Sequence, residues 1–318
     1  MKTVFNLTTC PEDLDRFSDT AALLRHMEGF DGLELLCCDE DLRGVVPPER
    51  VIGVHMCYFP YWLDFWRGDT AACLAEFGTR AAMEAYYGGA GPEALLARFS
   101  RDLDAARRYG AEYLVFHVSD ASIRESFTGR YRHSDETVIN AACELLNALF
   151  EGLEPGPWLL LENLWQPGFR FTSPRMTERL LSGIRYPRKG VMLDTGHLMH
   201  TELSLRSEEE GLSYIHRMLD LHGPLAAHIR GLHLHQSITG DYVKSMRAAP
   251  PPEGDYQARA LRMLEHAFRV DLHRPFTCPG VRALIERVAP AYLNFELISA
   301  GAGEHRRLLD EQRRALGL

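Results

Sequence analysis

The chain has 318 residues, 46% hydrophobic and 25% charged, which excludes disordered, collagen-like and coiled-coil architectures. Its 44 acidic residues outnumber its 35 basic ones, and a net charge of −9 weighs against a nucleic-acid partner, because phosphate binding draws on excess Lys and Arg. No run approaches the ~18 apolar residues of a membrane span. The N-terminal MKTVFNLTTC has no apolar core of the signal-peptide kind, and seven cysteines without C-x-x-C spacing point to a reduced, cytoplasmic chain.

The first apolar segment is 3–8 (TVFNLT). A helical pattern over 12–28 follows, with Leu14, Phe17, Ala21, Leu24 and Met27 at spacings of three and four. The second and third strands are predicted at 31–37 (DGLELLC) and 51–56 (VIGVHM). A long connection, 57–92, leads to a helix at 93–109 and a fourth strand at 112–118 (EYLVFHV). Then come helix 135–151, strand 157–162 (PWLLLE), helix 173–184, strand 190–195 (GVMLDT), helix 207–222 and strand 229–235 (IRGLHLH). A second long connection, 236–280, carries AAPPPEGD at 248–255. Helix 280–288, an eighth strand at 291–297 (AYLNFEL) and helix 303–316 complete the chain.

These continuous apolar runs suit parallel strands buried on both faces. Eight of them alternating with helices predict an α/β fold, one (β/α)8 TIM-barrel domain over residues 1–318. A doubly wound sheet is the runner-up, but no G-x-G-x-x-G follows the first strand. Both long connections leave the C-terminal ends of strands, the face on which such barrels do chemistry.

The polar residues at those ends form a series. The third strand ends in His55, the fourth in His117 and the fifth in Glu162. The sixth ends in Asp194, followed by Thr-Gly-His197; the seventh carries His233 and the eighth Glu296. Each alone has a structural reading, such as a hydrogen-bonded strand-end His or an Asp turning its own backbone. Buried imidazoles and carboxylates are costly unless paired or bound to metal, so the converging set points to a metal cluster.

LLENLW (160–165), MLDTGH (192–197), GLHLH (231–235) and NFEL (294–297), in that order, resemble the xylose-isomerase-like barrel superfamily. It contains sugar isomerases and epimerases and the abasic-site endonucleases of the endonuclease IV (AP endonuclease 2) type. The isomerase branch implies one or two divalent ions on Glu162, Asp194, His233 and Glu296. The endonuclease branch implies three zinc ions and nine ligands, adding His55, His117, His197 and the pair Asp271 and His273 in VDLHRPF. All nine positions are filled, which favours the phosphodiester-hydrolysing branch. The resemblance then implies a partition: His55, His117 and Glu162 on one ion; Glu162 again, as a bridge, with Asp194, His233 and Glu296 on a second; His197, Asp271 and His273 on a third. It also implies attack on phosphorus by a metal-bridging hydroxide held at Glu162. Mixed imidazole and carboxylate ligands suit zinc first and accommodate manganese or iron. One departure stands out. The endonucleases carry His-Leu-Asn-Asp on strand seven, where this chain has His233-Leu-His235-Gln236. His235 shares a strand face with His233, as a substrate contact or as a hydrogen-bond partner behind the ligands.

Residues 58–87 hold nine aromatics, where 10% composition over 30 residues predicts about three. Tyr58, Phe59, Tyr61, Trp62, Phe65, Trp66, Tyr86 and Tyr87 are read as a wall for a flat or bulky organic substrate, or else as packing. Arg67 is the only Lys or Arg between 51 and 79, which disfavours abasic DNA. WLDFWRGD (62–69), Tyr86-Tyr-Gly-Gly and VFHVSD (115–120) look like the cobamide-remodelling phosphodiesterases. That implies a small-molecule substrate, a corrinoid whose phosphoribosyl linkage is cut. Two alternatives stand: a sugar isomerase or epimerase with Glu162 and Glu296 shuttling protons, and an endonuclease IV-like DNA repair enzyme. His133, His200, His222 and His228 are read as surface residues or supports behind the ligands.

Overall fold

The computed structural model describes residues 1–38 and 44–318. The predicted apolar segments form eight parallel strands: β1 (Lys2–Thr8), β2 (Gly32–Leu36), β3 (Val51–His55), β4 (Tyr113–His117), β5 (Trp158–Glu162), β6 (Lys189–Asp194), β7 (Ile229–His233) and β8 (Tyr292–Phe295). They pair in chain order, and β8 returns to β1 to close the barrel. Closure leaves no free sheet edge.

Alternation along each strand sorts its side chains. Leu114, Phe116, Leu159, Leu161, Val191, Leu193, Leu232 and Leu293 point outward and pack under the helices in the main core. Tyr113, Val115, Leu160, Met192 and Tyr292 point inward and form a separate cluster inside the barrel with Val4 and Ile52. The next inward positions toward the C-terminal ends are His117 on β4, Glu162 on β5 and Asp194 on β6. The apolar floor therefore carries a polar layer, and the pleat alone decides which residues belong to it.

The structure departs from the sequence reading in three places. The pattern over 12–28 is two helices, Pro11–Leu14 and Thr20–His26, because the Asp19 carboxylate accepts the Ala22 N–H at 2.8 Å and starts a new helix there. The connection 57–92 holds helices Leu63–Trp66, Thr70–Phe77 and Arg80–Tyr87; Asp69 caps the second and Thr79 the third. The connection 236–280 holds helices Gly240–Ala248 and Tyr256–Val270, separated by the proline run that cannot continue a helix. The second of these packs on helix Ile123–Thr128, with the His266 ring stacked on Phe127 at 4.2 Å. Among the described residues, no helix is long and apolar enough to cross a membrane.

Candidate metal centre

All nine residues expected as ligands meet at the C-terminal end of the barrel. Their ligand-type atoms fall into three groups, each with its atoms within 4.8 Å of one another. One is His55, His117 and Glu162. The second is Glu162, Asp194, His233 and Glu296. The third is His197, Asp271 and His273, joined by His235. Glu162 is common to the first two. Its Oε2 lies 3.2 Å from His55 Nε2 and 2.9 Å from His117 Nε2, and its Oε1 lies 3.2 Å from His233 Nδ1.

In most of these imidazoles one nitrogen is held from behind while the other faces the group. His55 donates from Nδ1 to the Met56 carbonyl at 2.9 Å, His197 from Nδ1 to the Asn163 carbonyl at 3.0 Å, and His273 from Nδ1 to the Glu296 carbonyl at 3.0 Å. His233 Nε2 meets the Glu34 carboxylate at 3.0 Å, and His235 Nε2 meets Asp194 Oδ2 at 2.8 Å. Such partners fix tautomer and ring orientation, the arrangement that accompanies metal-ligating histidines. Asn163 also braces Asp194, donating to its carbonyl at 3.0 Å and accepting its N–H at 2.9 Å. His273 itself holds φ at +46°, a left-handed conformation costing on the order of 1–3 kcal/mol in a non-glycine residue.

The electrostatics follow from burial opposed by pairing. Burial pushes the Glu162 carboxyl up, but His117 and His233 prevail and hold it well below the usual carboxylate range. Asp271 is lowered against the same opposition by His273, His235 and His197, and Glu296 by His233. Burial lowers His55 and His273, yet Glu162 and Asp271 respectively raise them to about 9. His117 is the exception: burial prevails and its imidazole titrates below the usual value. The carboxylates thus call for positive charge, which protons or divalent cations supply. Two buried imidazole nitrogens of these groups, His117 Nδ1 and His235 Nδ1, have no hydrogen-bond partner. Leaving such atoms unsatisfied costs about 1–3 kcal/mol each. Imidazole nitrogens and carboxylate oxygens in groups of three and four, with unpartnered atoms among them, fit divalent ions of the zinc type.

Two expectations need correction. Phe59, Tyr61, Trp62, Phe65 and Tyr87 are buried in the main core instead of lining a wall. The reason is local packing: Phe65 stacks on Tyr87 at 3.8 Å, Trp62 Nε1 donates to the Ser119 carbonyl at 2.7 Å, and Tyr87 Oη donates to the Tyr61 carbonyl at 2.6 Å. These rings fasten the short helices of 57–92 to the barrel. Trp66 and Tyr86 are half-buried and pack against the same core, which leaves Tyr58, half-buried, with its ring 4.5 Å from that of His117. His235 is fully buried and stacked on His273 at 4.1 Å, which removes it from substrate contact.

The sequence reading gave no role to Glu34 or Trp165, and among the histidines it read as surface residues or supports, His200 lies behind a ligand. Glu34, buried on β2, accepts from Tyr113 Oη at 2.8 Å and orients His233; an acid inside the apolar run GLELL was its signal. Trp165, half-buried, lies 5.1 Å from the His197 ring and 4.9 Å from that of His200. His200 Nε2 reaches Asp271 Oδ1 at 3.3 Å, beside the Ser237 hydroxyl, which donates to the same oxygen at 2.8 Å. By contrast, His222 packs between Phe171 and Thr177, and His133 pairs with Asp64.

The profile of the xylose isomerase-like TIM barrel family matches residues 22–269. Among solved structures the chain is similar to endonuclease IV from Thermus thermophilus, at 16% identity and a TM-score of 0.53, covering 100% of this chain and 99% of that one. It is similar to the IOLI protein with a binding zinc atom, at 12% identity and 0.52, covering 100% and 98%. It is also similar to 3-keto-D-glucoside 4-epimerase from E. coli, at 14% identity and 0.50, covering 99% of each. At these identities the likeness concerns the fold. No curated protein matches the sequence at a significant level.

Proposed function

The chain belongs to the xylose isomerase-like TIM barrel family, and from that premise we propose that it is a metal-dependent phosphodiesterase whose substrate is a corrinoid with an intact nucleotide loop. The observation that carries this reading is the grouping of ligand-type residues into three sets around a shared, buried Glu162. An isomerase on this scaffold is served by the four residues Glu162, Asp194, His233 and Glu296; the other five have no task in it.

Divalent ions bound there would supply acidified water and positive charge against phosphoryl oxygens. The chain's own part is placement. Glu162 spans two groups with its two oxygens, Glu34 and Asn163 fix the imidazoles of His233 and His197, and Asn163 holds the backbone of Asp194. Burial of Glu162, Asp194 and His233 keeps bulk water from these charges. Tyr58 beside His117 and Trp165 beside His197 are half-buried rings bordering the centre. They suit a large, partly apolar ligand, and the net charge of −9 disfavours duplex DNA. The corrinoid itself is favoured by the resemblance of WLDFWRGD, Tyr86-Tyr-Gly-Gly and VFHVSD.

One observation favours a second reading, a sugar isomerase or epimerase. Glu162 and Glu296 lie 3.2 and 3.0 Å from the same His233 nitrogen, a pair of carboxylates placed to exchange a proton across one carbon. The deciding experiment measures metal per chain in protein purified without chelator, then assays a cobamide, abasic duplex DNA and a ketose side by side. Near three equivalents with release of the lower-ligand riboside from the cobamide is the expected result. Near one equivalent with ketose epimerisation would establish the second reading, and cleavage of abasic DNA alone would make the protein a DNA repair enzyme.

A further inference from the structure

His235 is the residue at which this chain departs from the endonuclease pattern, and its surroundings are unusually complete. The side chain is fully buried. Nε2 meets Asp194 Oδ2 at 2.8 Å, so the other nitrogen, Nδ1, carries the lone pair. That Nδ1 has no hydrogen-bond partner, and it lies 3.7 Å from Asp271 Oδ1. The ring stacks on His273 at 4.1 Å, and ligand-type atoms of His197, His235, Asp271 and His273 all fall within 4.8 Å of one another. The chain also makes room for the ring. A Cβ at Gly196 would overlap it, so the glycine of Asp194-Thr-Gly-His197 is needed for this placement. The Thr195 hydroxyl accepts the His235 N–H at 3.1 Å and donates to the His235 carbonyl at 2.6 Å, which fixes the backbone just beyond β7.

We propose that His235 is the fourth protein ligand of the third group. His197, His235, Asp271 and His273 then make a closed site of three imidazoles and one carboxylate for a zinc-like ion. This rests on the three-ion reading above and deepens it. Four protein ligands, three of them imidazoles, complete a tetrahedral shell of the zinc type, where His197, Asp271 and His273 alone leave it one short. The rival role, a plain hydrogen bond to Asp194, leaves the buried Nδ1 unsatisfied.

The test replaces the bound metal with Co2+ and compares the wild type with His235→Gln and His235→Asn. The amide of Gln keeps a donor for Asp194 and removes the imidazole nitrogen. Three quantities are read: Co2+ per chain, the chelator concentration that removes each equivalent, and the visible absorption of four-coordinate Co2+. In the wild type, three equivalents with strong four-coordinate absorption are expected. In His235→Gln the third equivalent should bind about 100-fold more weakly and the absorption that accompanies it should be lost, with the other two equivalents unchanged. A His235→Gln protein that keeps the third equivalent with wild-type affinity and absorption overturns the fourth-ligand role alone. A wild type that holds no more than two equivalents overturns the three-ion reading itself. Circular dichroism of the metal-free variants checks folding, with His235→Asn as the second substitution.

Discussion

At the top of the barrel, His55, His197, His233 and His273 sit among carboxylates; between the outer helices, His26 and His305 sit 3.0 Å apart with Arg16, Arg306 and Asp310 around them. Desolvation works against the charged imidazole in both places. In the barrel, Glu162, Glu296 and Asp271 reverse it, so that His55 and His273 reach about 9 and His197 and His233 rise well above their ordinary value. Between the helices the nearest strong charges are arginines, and burial prevails: His26 falls to about 4 and His305 to about 3. The contrast teaches that clustering and burial do not by themselves make a cation site. Carboxylates do, because they raise the positive charge a site can hold. The outer pair is a neutral packing element, stacked at 5.2 Å and edged by Phe5.

The largest expected effect comes from removing the charge shared by two groups. Glu162→Gln should reduce bound metal from near three equivalents to near one and lower turnover on the order of 10³-fold or more, with the fold retained. Elemental analysis beside circular dichroism checks this, and a variant keeping all its metal would refute the shared role. A smaller effect is expected at Glu34→Gln, which retains shape but neutralises the partner of His233. Metal affinity should fall about 10–100-fold in chelator competition. An unchanged midpoint would reduce Glu34 to a partner of Tyr113.

The smallest effect belongs to the outer pair. The fold favours neutral His26 and His305, whereas the unfolded chain protonates them near 6.5. Their contribution is therefore complete above pH 6.5 and declines as pH falls from 6.5 toward about 4 and then about 3. Calorimetry of the metal-loaded protein should show a shallower acid-side fall in Tm for His305→Leu than for the wild type. Equal slopes would mean that the pair does not titrate as its surroundings require.

How far each region was legible in the sequence follows from the same contrast. The barrel layer was readable because each of its members ends an apolar strand, where a charged or imidazole group stands out; His55, His117, Glu162 and Asp194 needed no partner to be noticed. Glu34 was less visible, since its reason is His233, 199 residues away. His26 and His305, separated by 279 residues, look like ordinary polar positions on two helices.

The sequence by itself determined the eight strands and their order along the chain, because apolar run length is a local property. It also determined which residue types converge at the strand ends. Only the tertiary structure decided that Phe59, Tyr61, Trp62, Phe65 and Tyr87 pack inward, that His235 joins His197, Asp271 and His273, and that Asp19 divides the first helical segment. The first two depend on which surfaces meet across the fold. The third is a choice between a longer helix and a cap, and apolar spacing alone does not distinguish them.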